Sequence, residues 1–583
     1  MRKKIVSCIL IVVLMMSSMG LIGCTDQKEE KVAQEQEVAV EKVEDGVRLS
    51  DEEMDLSVRD AKGSNGVVAA ANPYASKIGL DIMKNGGNAV DAAVAMAFTM
   101  GLVEPNASGP AGSGFMMIHD AKTGKQAFLD YLPTAPAALT QEIFESYDKP
   151  TQKKTGVAAG VPGAVDGWLT ALENYGTMSA EQVLEPVIEL AEKGYVISPH
   201  LVEVVQDSYE LILSHEETAK VFLKEDLPYE AGEVFKNPDY AKVLRKIAKE
   251  GKDGFYKGEV AEAIVQAVKA DGGLMTLEDL ANYKAKFREP VGVDYRGYKV
   301  ISAPPSSSGG IAVLEGLNIA QKFDVKAMGS NTPETLHLWS EIFKVVHADR
   351  YNYVADPDFS HIPVDVLTSE QYAKDRLKAI DMEKSAEEQK PGSPLEYESP
   401  STTHISIMDK EGNMVSMTNS VGLYFGCGVV PKNTGFVLNT YVFNFSKDYE
   451  VNKAAPGKRA RSTMSPTIIL KDGKAFATLG TPGGGRIPGT VMQIISNIID
   501  HGMGIQDAIN QPRIHQLHKN ALYVEGSIPE NVRNELAKKG HEIELKGTND
   551  AYFGGVQGIV RDLETNEMHG GADSRRDGKA FAY

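Results

Sequence analysis

Cysteine is scarce in this chain: three among 583 residues, at Cys8, Cys24 and Cys427. Two of them crowd the extreme N-terminus, so no disulfide framework can be built within the body of the protein. Cys427 then reads as a small packed residue. Basic charge is also short. Lys and Arg number 61 against 80 Asp and Glu, a net charge of −19. That balance excludes nucleic acid as the main partner, because such binding is driven by phosphate neutralisation. A polyanionic substrate could bind only at a local basic site. Internal repeats are absent. The glycine run Pro482-Gly483-Gly484-Gly485-Arg486 lacks the Gly-Lys-Ser/Thr ending of a phosphate loop, which removes that reading. What remains is a soluble globular composition, 42% hydrophobic and 24% charged. The length exceeds one ordinary core and calls for several packed layers or subdomains.

The N-terminus has its own logic. Arg2, Lys3 and Lys4 precede an apolar stretch from Ile5 to Met16, and Leu21-Ile22-Gly23-Cys24 follows. That order is a secretory signal, and its ending resembles the bacterial lipobox, whose cysteine is lipidated and becomes the new N-terminus. A plain cleaved signal or a single membrane anchor are the competing readings. The expectation is a lipoprotein signal peptide over 1–23, a lipid on Cys24, and the mature protein on the extracellular face of the cell membrane. Residues 24–62, rich in Glu, Gln, Lys and Val, read as a lipid-anchored flexible tether.

Beyond it, Gly66–Ala71 is a buried-strand run. Pro73 opens a helix through Met83, Asn85-Gly86-Gly87-Asn88 breaks it, and Ala89–Met100 is a small-residue helix. Residues 140–400 are mostly helical in pattern, as in Ala180–Lys193, Pro238–Glu250 and Pro333–Asp349. After Thr402 the period changes to two. Ile405, Ile407, Val415 and Met417 alternate across the turn Asp409–Asn413, and a second hairpin runs from Thr467 to Gly480. The glycine run then leads into an apolar helix through Ile499. Helices flanking antiparallel strands imply a layered α+β architecture.

The stretch Glu398-Ser399-Pro400-Ser401-Thr402-Thr403-His404 puts a threonine at the mouth of a strand behind a polar junction. A threonine hydroxyl needs an adjacent base to act as a nucleophile. An N-terminal threonine carries one in its own α-amine, whose reference pKa is about 8. The chain must first be cut before it. Taken alone, Thr402 also reads as an ordinary strand-initiating residue. His404, next to the nucleophile, invites a triad reading, but strand alternation points it opposite to Thr403 and it reads as structural. His347 and Asp349 have no further ligand, and no metal or other cofactor is expected.

TTHISIMDKEGNMVSMT resembles the start of the small subunit of the γ-glutamyltranspeptidases (glutathione hydrolases). Further segments resemble landmarks of that family, in family order: Val103–Asn106, Gly114–Ile118, Val161–Val165, Ala348–Arg350 with Asp356–Phe359, Ser465–Ile468 and Pro482–Gly484. The resemblance implies an autoprocessed N-terminal-nucleophile hydrolase with a four-layer αββα sandwich. A large subunit would span 63–401 and a small catalytic subunit 402–583, cut between Ser401 and Thr402. It implies Thr402 as nucleophile of a γ-glutamyl acyl-enzyme that passes its acyl group to water or an amine. Ser420 would support the hydroxyl, and the backbone at Gly483 and Gly484 would form an oxyanion hole.

Departures from the family pattern lie in the substrate clamp. Leu132 stands where the family has a carboxylate-binding arginine, and Gly422 where it has an asparagine two residues after Ser420. Tyr441 and Asn444 replace a polar amide and an amine-binding aspartate. The stretch from Ser446 to Ser462 is too short for the lid of some relatives. Arg486 and Arg576, with Tyr441, Asn444 and Thr403, are the candidate substrate-binding residues. Arg461 and Arg575 are further cation candidates, while Lys458 and Arg459 read as solvated surface charges. An open cleft with a relocated clamp resembles the poly-γ-glutamate depolymerases and transpeptidases, so the substrate is a glutathione-like γ-glutamyl peptide or poly-γ-glutamate. A cephalosporin-type acylase of the same fold and a non-catalytic peptide-binding lipoprotein are the rival readings.

Overall fold

The structure, a computed structural model, describes residues 46–389 and 401–583. The expected signal peptide, Cys24 and the junction Glu398–Pro400 lie outside the described residues. Among the described residues no helix is long and apolar enough to cross a membrane.

Two seven-stranded sheets form the centre. In chain order their strands are β1 (Ala61–Gly63), β2 (Gly66–Ala70), β3 (Ser113–Asp120), β4 (Lys125–Asp130), β5 (Lys286–Arg288), β6 (Val291–Tyr295), β7 (Tyr298–Ser302), β8 (Ser401–Asp409), β9 (Met414–Gly422), β10 (Thr467–Lys471), β11 (Lys474–Gly480), β12 (Gln557–Arg561), β13 (Met568–Ala572) and β14 (Lys579–Ala582). The first sheet runs β1-β13-β12-β11-β10-β7-β6 and the second β14-β2-β8-β9-β3-β4-β5. All neighbouring pairs are antiparallel. The β8–β9 turn is locally encoded. Asp409 Oδ1 accepts the Asn413 N–H at 2.9 Å, and Gly412 takes φ 90°.

Side-chain alternation divides the layers. On one face of β8 and β9, Ile405, Ile407, Val415 and Met417 join a core with the helices α1 (Pro73–Lys84) and α2 (Ala89–Val103). Asn88 ends the break between those helices by capping α2, its side chain accepting from Val90 and Asp91. Every residue of α2 is buried, which its alanine-rich sequence permits. On the other face, polar side chains stitch the sheets together. Ser406 donates to the Gln557 carbonyl at 3.1 Å, Ser416 to Leu479 at 3.0 Å and Thr478 to Val415 at 3.0 Å. The outer face of the first sheet is covered by the helices α3 (Ser308–Ala320), α4 (Pro333–Tyr353) and α5 (Ile487–Ile499). The result is the expected helix–sheet–sheet–helix order.

The helices expected at Ala180–Lys193 and Pro238–Glu250 have those bounds, and α4 runs four residues beyond the expected end. The tether needs correction over its last third. Ser50 caps a helical turn, Asp51–Met54. The Lys579 ammonium donates to the Glu52 and Asp55 carbonyls at 2.7 and 2.6 Å. Residues 61–63 pair with 568–570. Charge-rich composition read as solvated, but its backbone is tied to C-terminal strands that a local pattern cannot reveal.

Candidate active site

Thr402 sits at the N-terminal end of a strand in the middle of the second sheet and is 4% exposed. The ladder shifts register between Ser401, opposite Gly422, and Thr403, opposite Asn419. This irregularity leaves Thr402 facing Ser420, and its hydroxyl donates to Ser420 Oγ at 3.4 Å. Ser420 Oγ also accepts the Gly422 N–H at 2.9 Å, and its carbonyl accepts from Ser113 Oγ at 2.8 Å. Gly422 itself is explained locally. It takes φ 96°, and a Cβ there would stand 2.7 Å from Thr440 Cγ2.

Tyr441 closes the other side. It opens a short helical turn, Tyr441–Asn444, and its N–H is held by Asn439 Oδ1 at 3.1 Å. Asn439 is anchored in turn to the Ala111 and Gly160 carbonyls at 2.8 and 2.9 Å. Burial pushes the Tyr441 phenol up, and the hydroxyls of Ser113, Ser420 and Ser462 against it pull the other way. Tyr441 is therefore linked to the Thr402 hydroxyl through Ser420. Asn444 follows, half-buried, with its carbonyl accepting from Asn452 at 2.8 Å.

Arg576, 3% exposed, donates to the Thr402 carbonyl at 3.0 Å. Its own carbonyl, with those of Asp573 and Gly578, accepts from Arg59 Nη1. The N-terminal segment thus braces the arginine at the nucleophile. Gly483 and Gly484 take φ 135° and 56°, a path that side chains with a Cβ disfavour. Arg486 leaves that turn, donates to the Tyr552 carbonyl at 3.0 Å and lies 4.7 Å from the Tyr552 ring centre.

Several expectations change. Thr403 is fully buried opposite Asn419, whose amide oxygen takes the Tyr131 hydroxyl at 2.7 Å and the Trp168 indole at 3.3 Å. It therefore belongs to the helix-facing side with Ile405, away from Ser420, and not to the substrate side. Lys458 and Arg459, expected at the surface, are 4% and 2% exposed. Arg459 lies 3.4 Å from Asp130 and donates to the Lys284 carbonyl at 2.8 Å. Arg288 pairs with Asp130 at 2.8 Å as well, so Asp130 already engages both guanidinium groups. Leu132 is buried in the core beside them. Arg575 is consumed by Glu525 and Asp573 at 2.6 and 3.1 Å. His404 bonds Thr418 Oγ1 at 2.8 Å, and burial pushes it down to about 3. Burial likewise pushes the Cys427 thiol up to about 12. Ser113, Asn439 and Ser462 were not anticipated. Ser113 opens β3, but Asn439 and Ser462 lie in irregular segments with no local signal.

One group of possible metal ligands is present among the described residues: His337, Glu341 and His541. The two imidazoles bond each other at 2.8 Å, and the Lys344 ammonium already neutralises Glu341 at 2.8 Å. This group meets its polar needs internally.

The family model for gamma-glutamyltranspeptidase matches residues 75–583. The chain is similar to the glutathione hydrolase proenzyme of Escherichia coli (strain K12), 38% identical over 533 residues, 88% of this chain and 91% of the relative. It is similar to the capsule biosynthesis protein CapD proenzyme of Bacillus anthracis, 36% identical over 526 residues, 89% and 91% of the two chains. Among solved structures it resembles the cephalosporin acylase from Bacillus halodurans, with a TM-score of 0.83 and 32% identity over 90% of this chain and 97% of that one.

Proposed function

Because this chain belongs to the gamma-glutamyltranspeptidase family, we propose that it is an autoprocessed γ-glutamyltransferase and hydrolase with Thr402 as nucleophile. The observation that carries this is the buried Thr402 hydroxyl against Ser420, with Arg576 on the Thr402 carbonyl. Thr402 Oγ first adds to the Ser401 carbonyl carbon, and the peptide bond shifts to an ester. Water releases the Ser401 carboxylate and leaves Thr402 with a free α-amine. That amine takes the hydroxyl proton as Oγ attacks the γ-carbonyl of a γ-glutamyl amide. The proton passes to the leaving amine, and an ester on Thr402 remains. Water or an amine then accepts the glutamyl group. Backbone N–H groups at Gly483 and Gly484 serve the oxyanion, where one donor typically contributes about 3 kcal/mol.

The polymer reading draws on Leu132 in place of an arginine, on the short segment from Ser446 to Ser462, and on the capsule biosynthesis relative. Poly-γ-glutamate is the proposed substrate, held by Arg486 and Arg576. Incubating processed protein separately with poly-γ-glutamate and glutathione tests this; turnover of glutathione alone would refute it. The acylase reading is favoured by the same missing arginine and by the fold similarity to cephalosporin acylase. Release of cephalosporin side chains without γ-glutamyl turnover would establish it instead. The N-terminal signal and Cys24 support a lipid anchor on the outer face of the membrane, and Cys24→Ala should release the protein into the medium. Denaturing electrophoresis of wild type and Thr402→Ala separates all of these from a non-catalytic binding protein, which would stay uncut in both.

A further inference from the structure

Beside Arg486, already proposed to hold the polymer, lies a group of buried basic and polar side chains that the steps above do not use. Arg350, 1% exposed, donates from Nε to His347 Nδ1 at 2.8 Å. Since a guanidinium can only donate, the proton of neutral His347 is on Nε2. That N–H is buried and has no hydrogen-bond partner. The His347 ring centre is 5.7 Å from that of His515, whose Nδ1 is also unpartnered. His518 is 1% exposed and both of its ring nitrogens are unpartnered. The Glu388 carboxylate is 3.8 Å from Nε2, beyond hydrogen-bonding distance.

This group joins the site from two directions. Arg350 Nη1 donates to Ser308 Oγ at 3.3 Å, and Ser308 donates to the Ser462 carbonyl at 2.9 Å. Ser462 lies against Tyr441, which reaches Ser420 and so Thr402. On the other side, Arg486 leads directly back to Gly484.

Buried donors left unpaired cost stability, and natural interiors hold few of them without a functional reason. The His518 ring and Arg350 both lie against Tyr351, and the His515 ring and Arg486 both against Tyr552, so two guanidinium charges beside the imidazoles disfavour a metal cation. An apolar ligand would leave the His347 N–H unpaired. A carboxylate offers about four lone-pair positions, which suit N–H donors and arginine alike. We propose that His347, Arg350, His515, His518 and Arg486 form a second carboxylate site, for a glutamyl unit adjoining the one acylated on Thr402. This rests on the γ-glutamyl-transfer reading and deepens it, because a polymer presents a carboxylate on every unit and glutathione does not. Burial first, and then the neighbouring cations, hold all three rings neutral. The site therefore provides the His347 N–H, and two imidazoles free to present N–H in either tautomer, beside fixed positive charge.

The test compares processed wild type with His347→Leu and His518→Leu on a short γ-glutamyl oligomer and on γ-glutamyl-4-nitroanilide. The second variant removes a ring that makes no hydrogen bond, so it spares the Arg350 contacts. The expected result is a fall of about tenfold in oligomer-to-anilide kcat/KM, carried by KM, with recovery in His347→Gln, which keeps an N–H donor. Equal losses on both substrates, or a loss carried by kcat, would overturn the site. A loss confined to transfer onto free glutamate, with oligomer hydrolysis intact, supports the site and assigns its carboxylate to the acceptor. If wild type does not cleave the oligomer at all, the polymer reading fails on its own. The site is then judged by inhibition of anilide turnover with glutarate: a Ki raised about tenfold in both variants supports it, and an unchanged Ki overturns it.

Discussion

Replacing Ser420 by alanine tests how the nucleophile is positioned. The substitution deletes one oxygen that meets three groups: the Thr402 hydroxyl at 3.4 Å, the Gly422 N–H at 2.9 Å and the Tyr441 phenol. The Gly422 N–H loses its acceptor in a buried setting, which costs about 1–3 kcal/mol. The Thr402 contact is longer than the usual hydroxyl pair, so its own share of stability is small. Its larger effect is on rate. Without Ser420 the Thr402 side chain samples its other staggered rotamers, and the positioned hydrogen bond is lost in the transition state. Together these should cost about 1.5–3 kcal/mol of barrier, roughly ten- to a hundredfold in kcat. The assay follows precursor disappearance by electrophoresis and then kcat on γ-glutamyl-4-nitroanilide for the processed fraction. Ser420→Thr should recover most of the loss by restoring the hydroxyl. A processed Ser420→Ala enzyme with kcat within about twofold of wild type would refute the positioning argument.

Other outcomes follow from the same geometry. Arg576→Leu removes the donor to the Thr402 carbonyl and should slow processing and turnover by roughly tenfold to a hundredfold, with Arg576→Lys intermediate; gel densitometry and kcat measure it. Arg59→Ala removes hydrogen bonds to the Asp573, Arg576 and Gly578 carbonyls and should lower the melting temperature and weaken the Arg576 function in parallel. Gly554→Ala places a Cβ 2.4 Å from Thr481 Oγ1 at φ 96°, and should destabilise by about 2 kcal/mol or more in denaturant titration. Acid should unfold the protein through its buried histidines. His404 stays neutral when folded down to about 3 but titrates near its ordinary value when unfolded. The unfolded state therefore binds more protons in that window, and stability falls as pH falls from about 6.5, by about 3 kcal/mol at pH 4.5 for this group alone. His404→Gln should flatten the slope of unfolding free energy against pH by about one proton.

The local elements were legible because their signals are local. The break at Asn85–Asn88, the helix Ala180–Lys193, the Asp409–Asn413 turn and the change of period after Thr402 all depend on neighbours in sequence. The assembly of the sheets was not, since β14 at the C-terminus pairs with β2, some 510 residues earlier. For the same reason residues 46–62 read as tether although β13 and Lys579 bind them. Charge also misled. Lys458 and Arg459 look like solvent-facing cations, and only the tertiary fold reveals Asp130 beneath Arg459. Thr403 shows the limit of reading a doublet: one residue along a strand is the opposite face of the sheet. Gly422 stood out as a departure, and its left-handed backbone beside Thr440 explains it.

The central claim is that Thr402 becomes an N-terminus and then carries the acyl group. Intact-mass spectrometry of acid-quenched protein, with and without a γ-glutamyl donor, measures both events at once. The account requires a fragment of residues 402–583 that gains one glutamyl unit with the donor, and neither species in Thr402→Ala. A wild-type chain that turns over donor while its Ser401–Thr402 bond remains whole would contradict it.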